Sequence, residues 1–402
     1  MQLGWIDYSK DDHRRVLSVI DLLSEDGTLD ELGIAPVRDG FSNLFFPGTS
    51  TIQTRAKYFL VVPYILDTLA RQPDTSVDVI LRKLDAMERQ CGKILLDSNA
   101  EGVIGRNTLM SGGWVKRPPS EIYWSGIRQY GIFLRKGMSL SEYIKISSSL
   151  KRQKHDLKKL GNRNDDAAEF EHDDADAGAL FSTAFWLLPP YSKDFKWTES
   201  LRMDLSVEEA SFLKSQIIET QSNSILAYIL ENNLINVSAI DTFEDIYNSG
   251  IVDLLRDDMR QDYFFALAFS QFIYGAIVRY NVILSDGVNQ KANNEWNQYI
   301  KNKNEYASLN LDIIFERLEI HNRNPQLLQF LNTVKQCLLN SDIDALDNCI
   351  KKREIQLKGP SRARLNRIGE FSSDVWIGGG RLDYRFKNAM TIIRDILNGL
   401  EE

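Results

Sequence analysis

Cysteine and histidine are scarce in this chain, which has three cysteines and four histidines among 402 residues. Cys91, Cys337 and Cys349 are odd in number and lack Cys-x-x-Cys spacing, which disfavours a disulfide framework and a cysteine zinc site. No two histidines have the spacing of metal ligands on one helix. We therefore expect no metal site and no cofactor, and buried thiols in a reducing compartment.

The common catalytic motifs are missing as well. The chain has no phosphate-binding loop ending in Lys-Ser or Lys-Thr, no Gly-x-Ser-x-Gly turn and no His-Glu-x-x-His motif. No histidine is followed by x-Lys, the pair that a phospholipase-D-like nuclease requires. Asp156-Leu157-Lys158 has the local form of a metal-dependent nuclease, but it lacks a preceding strand with a partner acid. We predict no catalytic residues and no enzyme, with a cryptic metal-dependent nuclease as an alternative.

Long apolar runs are absent. The N-terminus has no basic region followed by an apolar segment, so it does not resemble a secretory signal. The longest uncharged stretch, Tyr263 to Val278, is shorter than the ~20 apolar residues of a membrane span and contains polar side chains. We interpret it as a buried core helix and expect a cytoplasmic protein without membrane contact.

Helical spacing of apolar residues is abundant, whereas strand signals are few. The spacing predicts helices over 53–70, 76–96, 206–218, 225–230, 263–284, 309–320, 325–339, 341–350 and 382–400. Expected helix caps are Ser206, with Glu209 completing a capping box, and Ser120, Ser341 and residues 49–51. Residues 102–115 favour a hairpin and residues 371–377 a short strand. We predict a mainly α fold of multi-helix globular domains with at most short β-hairpins, including a possible winged-helix element near Ser120.

Charge divides the chain into segments. Residues 145–163 contain seven basic side chains and one acid, and residues 165–176 contain seven acids and no basic side chain. Segments this polar bury too little apolar surface to offset the entropy of ordering. We predict an N-terminal helical domain (1–150), a charged linker or loop (151–178), a central helical domain (179–345) and a basic C-terminal helical segment (346–402).

The basic C-terminal segment is the best candidate binding surface. Residues 351–387 hold ten basic and four acidic side chains, although the whole chain has a net charge of -8. Such asymmetry suits a nucleic-acid backbone, an acidic protein partner or a solvated helix face. The predicted nucleic-acid-binding residues are Lys351, Lys352, Arg353, Lys358, Arg362, Arg364, Arg367, Arg381, Arg385, Lys151, Arg152 and Lys154.

Two glycine runs lie beside tryptophan, at Gly112-Gly113 and at Gly378-Gly379-Gly380. Exposed amides there, with Arg381 after the second run, could contact a phosphate, but glycines outside a strand–loop–helix context favour a tight turn as the explanation. Arg55 and Lys57 are placed in the first turns of a predicted helix, where positive charge opposes the helix dipole. Their position fits either a bound anion or an internal salt bridge.

Several motifs together resemble a known family. They are Leu3-Gly4-Trp5-Ile6-Asp7-Tyr8-Ser9, Asp30-Glu31-Leu32-Gly33-Ile34, Phe45-Phe46-Pro47-Gly48-Thr49-Ser50-Thr51-Ile52-Gln53-Thr54-Arg55-Ala56-Lys57-Tyr58-Phe59, Ile122-Tyr123-Trp124-Ser125-Gly126-Ile127 and Trp376-Ile377-Gly378-Gly379-Gly380-Arg381-Leu382-Asp383-Tyr384-Arg385-Phe386. The pattern resembles an uncharacterised bacterial family of about this length, a domain of unknown function. Members resemble accessory components encoded beside helicases and phospholipase-D-like nucleases in antiphage defence clusters. The resemblance implies a setting and transfers no catalytic residue.

From these observations we expect a non-catalytic accessory subunit of a bacterial antiphage defence complex. It would contact DNA through its basic segments and dock a helicase or a phospholipase-D-like nuclease subunit. A pure protein–protein scaffold is the second reading, and a cryptic metal-dependent nuclease that uses Asp156 and Lys158 is the third.

Overall fold

A computed structural model describes residues 30–73, 76–161, 185–189, 197–234, 240–368 and 375–401. Helices dominate these residues, which confirms the predicted mainly α fold. In chain order the α-helices are α1 Ala35–Phe45, α2 Tyr58–Arg71, α3 Val77–Asp97, α4 Arg106–Met110, α5 Pro119–Gln129, α6 Leu140–Gly161, α7 Val207–Thr220, α8 Ile225–Glu231, α9 Asp245–Asn248, α10 Asp257–Leu284, α11 Gln290–Tyr299, α12 Lys303–Tyr306, α13 Leu311–Arg317, α14 Pro325–Leu339, α15 Ile343–Lys358 and α16 Phe386–Glu401. Short 3-10 turns occupy Ile251–Leu254, Ile300–Asn302 and Arg364–Asn366.

The chain forms two compact units, each assembled from distant segments. The first unit comprises the described residues up to 41 and those between 261 and 382, and the second comprises the described residues between 42 and 260 and those from 383 to 401. In the first unit α14 packs against α13 and α15, and in the second α7 packs against α8 and α16 while α2 packs against α3 and α5. The consecutive domains expected from the sequence stay a prediction.

Of three helix caps predicted from the local sequence, the structure confirms one and contradicts two. Ser206 and Glu209 form the predicted capping box at the start of α7. Ser341, in contrast, is not the cap of α15, because Asp342 accepts the Ala345 N–H at 2.9 Å. Ser120 is also wrong as a cap, since α5 begins at Pro119, a residue type favoured in the first helical turn.

Residues 49–57 are irregular, and the helix predicted from Gln53 begins only at Tyr58. Tertiary hydrogen bonds replace the expected caps at residues 49–51. The Tyr123 hydroxyl accepts the N–H groups of Thr54 and Arg55 at 2.8 and 3.1 Å. Asn388 Nδ2 donates to the Gln53 carbonyl at 2.8 Å. Side chains that are remote in sequence thus satisfy the backbone groups that a helical turn would have used.

The predicted hairpin over residues 102–115 is wrong, because this segment contains helix α4 between turns. Gly105 and Gly112, both with positive φ, precede and follow the helix. The Gly113 N–H bonds to the Thr108 carbonyl at 2.8 Å, which closes the helix in the manner of a glycine C-cap. The winged-helix element predicted near Ser120 therefore lacks the hairpin that was expected beside it at residues 102–115. Residues 375–377 form no strand, and residues 371–374 of that predicted strand lie outside the described residues.

One described helix, α10, is long and apolar enough to cross a membrane by length and composition, and 72% of its most apolar window is buried in the structure. A core helix passes the same test, so this is weak evidence in either direction. The helix confirms the predicted helical run from Tyr263 to Leu284. In the charged segment, residues 151–161 continue helix α6, and residues 162–178 lie outside the described residues.

Candidate nucleic-acid interface

A buried ion network surrounds the last turn of α15 in the first unit. Its acids are Glu31 and Glu354, which are 3% and 0% exposed, and its cations are Lys358 and Arg364. Glu354 accepts hydrogen bonds from the Tyr280 hydroxyl at 2.7 Å, from Lys358 Nζ at 2.9 Å and from the Arg364 N–H at 3.1 Å. Glu31 pairs with Lys358 and, at 3.0 Å, with Arg364 Nη1.

This network employs two of the predicted nucleic-acid-binding residues inside the unit. Lys358 and Arg364 each have a buried carboxylate as partner, so their charge is offset locally. Burial, followed by the hydrogen bond to Glu354, raises the pKa of Tyr280 above its usual range, which keeps the phenol a donor. Truncating one member of such a buried pair typically destabilises a protein by about 3–5 kcal/mol. The network therefore serves to stabilise the first unit.

Arg353 is a third predicted residue that faces inward. It is 6% exposed, and its Nε donates to the Leu32 carbonyl at 3.0 Å. Its guanidinium carbon lies 5.2 Å from the centroid of the Phe330 ring, a cation–π distance. Arg353 thus ties α15 to the turn that precedes α1 and to α14 within the first unit.

The remaining cations of this segment are more accessible. Lys352 is exposed and Lys351 is half-buried, and neither has a hydrogen-bond or ion-pair partner among the described residues. Arg362 is exposed, and its Nε donates to the Lys358 carbonyl at 3.0 Å at the C-terminal end of α15. Arg367 is exposed and lies just beyond the 3-10 turn. Of the predicted residues between 351 and 367, the structure therefore leaves Lys351, Lys352 and Arg362 without a buried carboxylate partner in the part of the chain that it describes.

A groove of about 610 Å³ runs between α14 and α15 beside Lys352. Its lining is rich in carboxamide side chains and contains no carboxylate. The lining residues are Gln326, Gln329, Phe330, Thr333, Ala345, Asn348, Cys349, Lys352, Arg353 and Gln356. We call this surface the carboxamide groove. Its volume lies within the roughly 300–1,000 Å³ of small-ligand sites.

The glycine segment of the first unit is a firmly held loop. Asn281 Oδ1 accepts the Ile377 N–H at 2.7 Å, and Asn281 Nδ2 donates to the Ile377 carbonyl at 2.8 Å. Asn289 Nδ2 donates to the Val375 carbonyl at 3.3 Å. The Ser270 hydroxyl accepts the Leu382 N–H at 2.9 Å. Side chains of α10 and of the residue before α11 therefore fix both ends of the loop.

Backbone conformation explains two of the three glycines in this loop. Gly378 and Gly379 have φ values of 88° and 75°, a region that glycine adopts without strain. Trp376 Nε1 donates to the Gly379 carbonyl at 2.6 Å, and the Lys291 ammonium lies 4.9 Å from the Trp376 ring centroid. Arg381 lies over the ring of Tyr274. The tight-turn interpretation has its physical basis here, and the anion contact stays a prediction.

Arg385, in the second unit, supports a neighbouring loop. Its Nη1 donates to Asn43 Oδ1 at 2.8 Å and to the Thr49 carbonyl at 2.9 Å. Tyr384 and Arg385 both have positive φ, at 52° and 64°. This conformation costs an ordinary residue on the order of 1–2 kcal/mol. The Tyr384 ring is buried against Phe243, with 4.9 Å between the ring centroids, and this packing offsets the strain of the turn.

The other predicted residues of the second unit lie on α6. Lys151 Nζ donates to the Leu69 carbonyl at 2.6 Å, so it serves at least one structural contact. Arg152 is exposed. The backbone of Lys154 belongs to α6, and its side chain lies outside the described residues. The structure places these residues in a different unit from α15, and their common use by one nucleic acid stays a prediction.

Arg55 and Lys57 are engaged in internal salt bridges. Arg55 Nε lies 2.9 Å from both carboxylate oxygens of Asp395, and Arg55 Nη2 lies 2.9 Å from Asp204. Lys57 Nζ lies 2.5 Å from Glu209. Burial raises the pKa of Asp395, and the adjacent Arg55 opposes that shift. Of the two readings that the sequence left open, the internal salt bridge is the one that the structure contains.

The described residues contain no cluster of candidate metal ligands. Residues 30–73, 76–161, 185–189, 197–234, 240–368 and 375–401 contain no group of three or more His, Cys, Asp or Glu side chains arranged to hold an ion. The side chains of Asp156 and Lys158, the alternative nuclease pair, lie outside the described residues.

The carboxamides of the groove were not predicted from the sequence, although their spacing is typical of one helix face. Gln326, Gln329 and Thr333 are spaced three and then four residues apart, and Asn348, Lys352 and Gln356 are each four residues apart. Such spacing places side chains on one face of a helix. Polar periodicity of this kind is usually assigned to a solvated face, because only tertiary packing shows that two such faces border one groove.

Comparison with protein families adds one finding. The profile of DUF6361, a family of unknown function, matches residues 1–184 of this chain. That match covers the motifs near the N-terminus and ends before the groove, so it attributes no activity to α14 or α15. The searches of curated proteins and of solved structures gave no match.

Proposed function

We propose that this protein is a non-catalytic, cytoplasmic subunit of a bacterial antiphage defence complex. In this proposal it contacts the DNA backbone through α15 and docks a helicase or a phospholipase-D-like nuclease. The setting is supported by the resemblance of the chain's motifs to accessory components of such clusters. The match of residues 1–184 to a family of unknown function is compatible with that setting.

The nucleic-acid contact rests on one observation: Lys352 is exposed beside a groove that no carboxylate lines. Lys352 has no ion-pair partner among the described residues, and the half-buried Lys351 precedes it on the helix. Accessible cations without internal partners can neutralise phosphates and release counterions. Arg353, Lys358 and Arg364 are excluded from the proposed contact, because they stabilise the first unit from within.

Salt-dependent binding tests this proposal. The affinity of the full chain for single-stranded and duplex DNA is measured by fluorescence anisotropy over a series of salt concentrations. Each phosphate contact contributes about 0.7 (single strand) to about 0.9 (duplex) to the slope of log K against log salt. We expect the Lys351→Ala, Lys352→Ala double variant to reduce the slope by about twice that amount.

The exposed Lys301 provides a matched control in the same unit for the single Lys352→Ala variant, because Lys301→Ala also removes one positive charge and lies outside α15. We expect it to leave the slope unchanged. Absent binding, or binding that does not depend on salt, would refute the DNA contact. A scaffold that assembles protein partners without nucleic acid would then be the remaining reading.

A further inference from the structure

We infer that the carboxamide groove holds unpaired bases, and that the nucleic acid in contact with α15 is therefore single-stranded. This inference rests on the proposed DNA contact and narrows its substrate class.

The shape of the groove favours a single strand. Its lining residues recur three or four positions apart on α14 and on α15, so the groove is the furrow between two packed helices. Packed helices have axes about 8–10 Å apart, which leaves a narrow concave furrow. Base edges of a duplex are recessed by roughly 8.5 Å in its major groove. Two concave surfaces cannot interpenetrate, whereas the bases of a single strand can turn outward into the furrow.

The lining suits the edges of bases. A carboxamide offers a donor and an acceptor side by side, the pattern that base edges present. Gln356 Nε2 donates to Gln326 Oε1 at 3.1 Å, so these two carboxamides connect the helices at one end. Gln329 and Asn348 are exposed, and within the described residues their carboxamides make no hydrogen bond. They are the groups available to a ligand.

Charge and lining together favour a nucleic acid over an acidic peptide. Lys352 supplies an accessible point charge that can bind a phosphate. A carboxylate could bind the same ammonium, but an acidic peptide would offer no base edges to the carboxamides of the lining. The arginine of this groove, Arg353, already donates to Leu32 and Gly33 and also approaches Gln356 Oε1, at 3.4 Å. We therefore favour bases in the groove and phosphates at Lys352.

The test compares three probes with the full-length protein. They are a labelled single strand of mixed sequence, its annealed duplex, and an abasic strand of equal length that keeps every phosphate. Binding is measured by anisotropy at one low salt concentration. We expect the base-containing strand to bind most tightly. The Gln329→Ala, Asn348→Ala double variant should bind it about tenfold more weakly, as expected for the loss of one good base contact. The same variant should bind the abasic strand as the unmodified protein does.

Two control variants separate bases from phosphates. Asn332→Ala removes an exposed carboxamide of α14 that does not line the groove, and it should change no affinity. Lys352→Ala should weaken binding to all three probes, because each carries phosphates. If the double variant binds every probe like the unmodified protein, or if the duplex binds as tightly as the base-containing strand, the inference is overturned and the DNA contact stands.

If no probe binds, both the inference and the proposed DNA contact are overturned. A competition with poly-glutamate completes the test. Displacement of the strand by poly-glutamate but not by free nucleotides would assign the groove to an acidic peptide and overturn the base-binding inference. Displacement by nucleotides that is lost in the double variant would support it.

Discussion

Neighbouring cations on helix α15 have opposite environments. Lys352 is exposed and lacks an internal partner among the described residues, whereas Arg353 is 6% exposed and Lys358 pairs with two buried carboxylates. Successive residues on a helix are separated by about 100° around its axis, so adjacent charges can have different surroundings. The positive charge of residues 351–387 therefore overstates the charge available to a partner. Part of it stabilises the fold, and part of it can bind.

Among substitutions that test this difference between buried and exposed cations, we expect Glu354→Ala to lower stability most. The substitution deprives Lys358 and Tyr280 of a buried acceptor, and we expect a loss of about 3–5 kcal/mol in the free energy of unfolding. Urea denaturation of the full chain measures it. Lys352→Ala, on the same helix, should change stability by at most about 0.5 kcal/mol. Equal losses in the two variants would remove the distinction between the buried and the exposed cations.

Glu88, a buried acid of the second unit, contrasts with Glu354, because its hydrogen-bond donors are neutral groups and not cations. Glu88 is 2% exposed and accepts the Ser120 N–H at 2.6 Å and its hydroxyl at 3.2 Å. Burial raises the pKa of Glu88 to about 8 from 4.5. The native state then binds this proton more tightly than the unfolded state, so its contribution to stability falls as pH rises from about 4.5 through about 8.

The total loss of stability from this group is on the order of 5 kcal/mol. Glu88→Gln should flatten that part of the stability–pH profile and raise stability above pH 8, as thermal or urea unfolding at several pH values would show. Glu316→Gln, at an exposed position of α13, is the matched control and should leave the profile unchanged. A Glu88→Gln profile that still declines over the same range would assign the pH dependence to other groups.

The glycine loop is expected to give the smallest effect. Gly379 has a φ of 75°, so Gly379→Ala should destabilise the protein by about 1–2 kcal/mol, although the new Cβ meets no neighbour within 4 Å. Gly380 also has open space and lacks a positive φ. Gly380→Ala should therefore stay within about 0.5 kcal/mol of the unmodified protein in urea denaturation. Equal effects at the two positions would show that the backbone conformation is not what requires glycine in this loop.

The sequence predicted helices well and their exact starts less well. Apolar spacing placed α3 and α14 within one residue of their observed ends. It failed at residues 53–57, where Tyr123 and Asn388 bind the backbone, and at residues 102–115, where glycine turns flank α4. In the first case the deciding side chains are remote in sequence, so no local pattern contains them. In the second, glycine turns fit a hairpin and a short helix equally well.

The candidate site was predicted in part. Segregated charge identified the region around α15, because a count of Lys and Arg needs no structure. The groove was not predicted, since it requires α14 and α15 to pack side by side. Arg353 and Arg364 looked equivalent to Lys352 in the sequence, and burial distinguishes them.

Composition and periodicity determined by themselves that this chain is mainly helical and that its cations cluster near the C-terminus, because both properties are local. Tertiary structure alone decided which of those cations are accessible. Glu31 and Arg364, which form one buried pair, are 333 positions apart. Whether a charge is offset or available depends on such distant partners, and their meeting is a result of folding that no local sequence pattern contains.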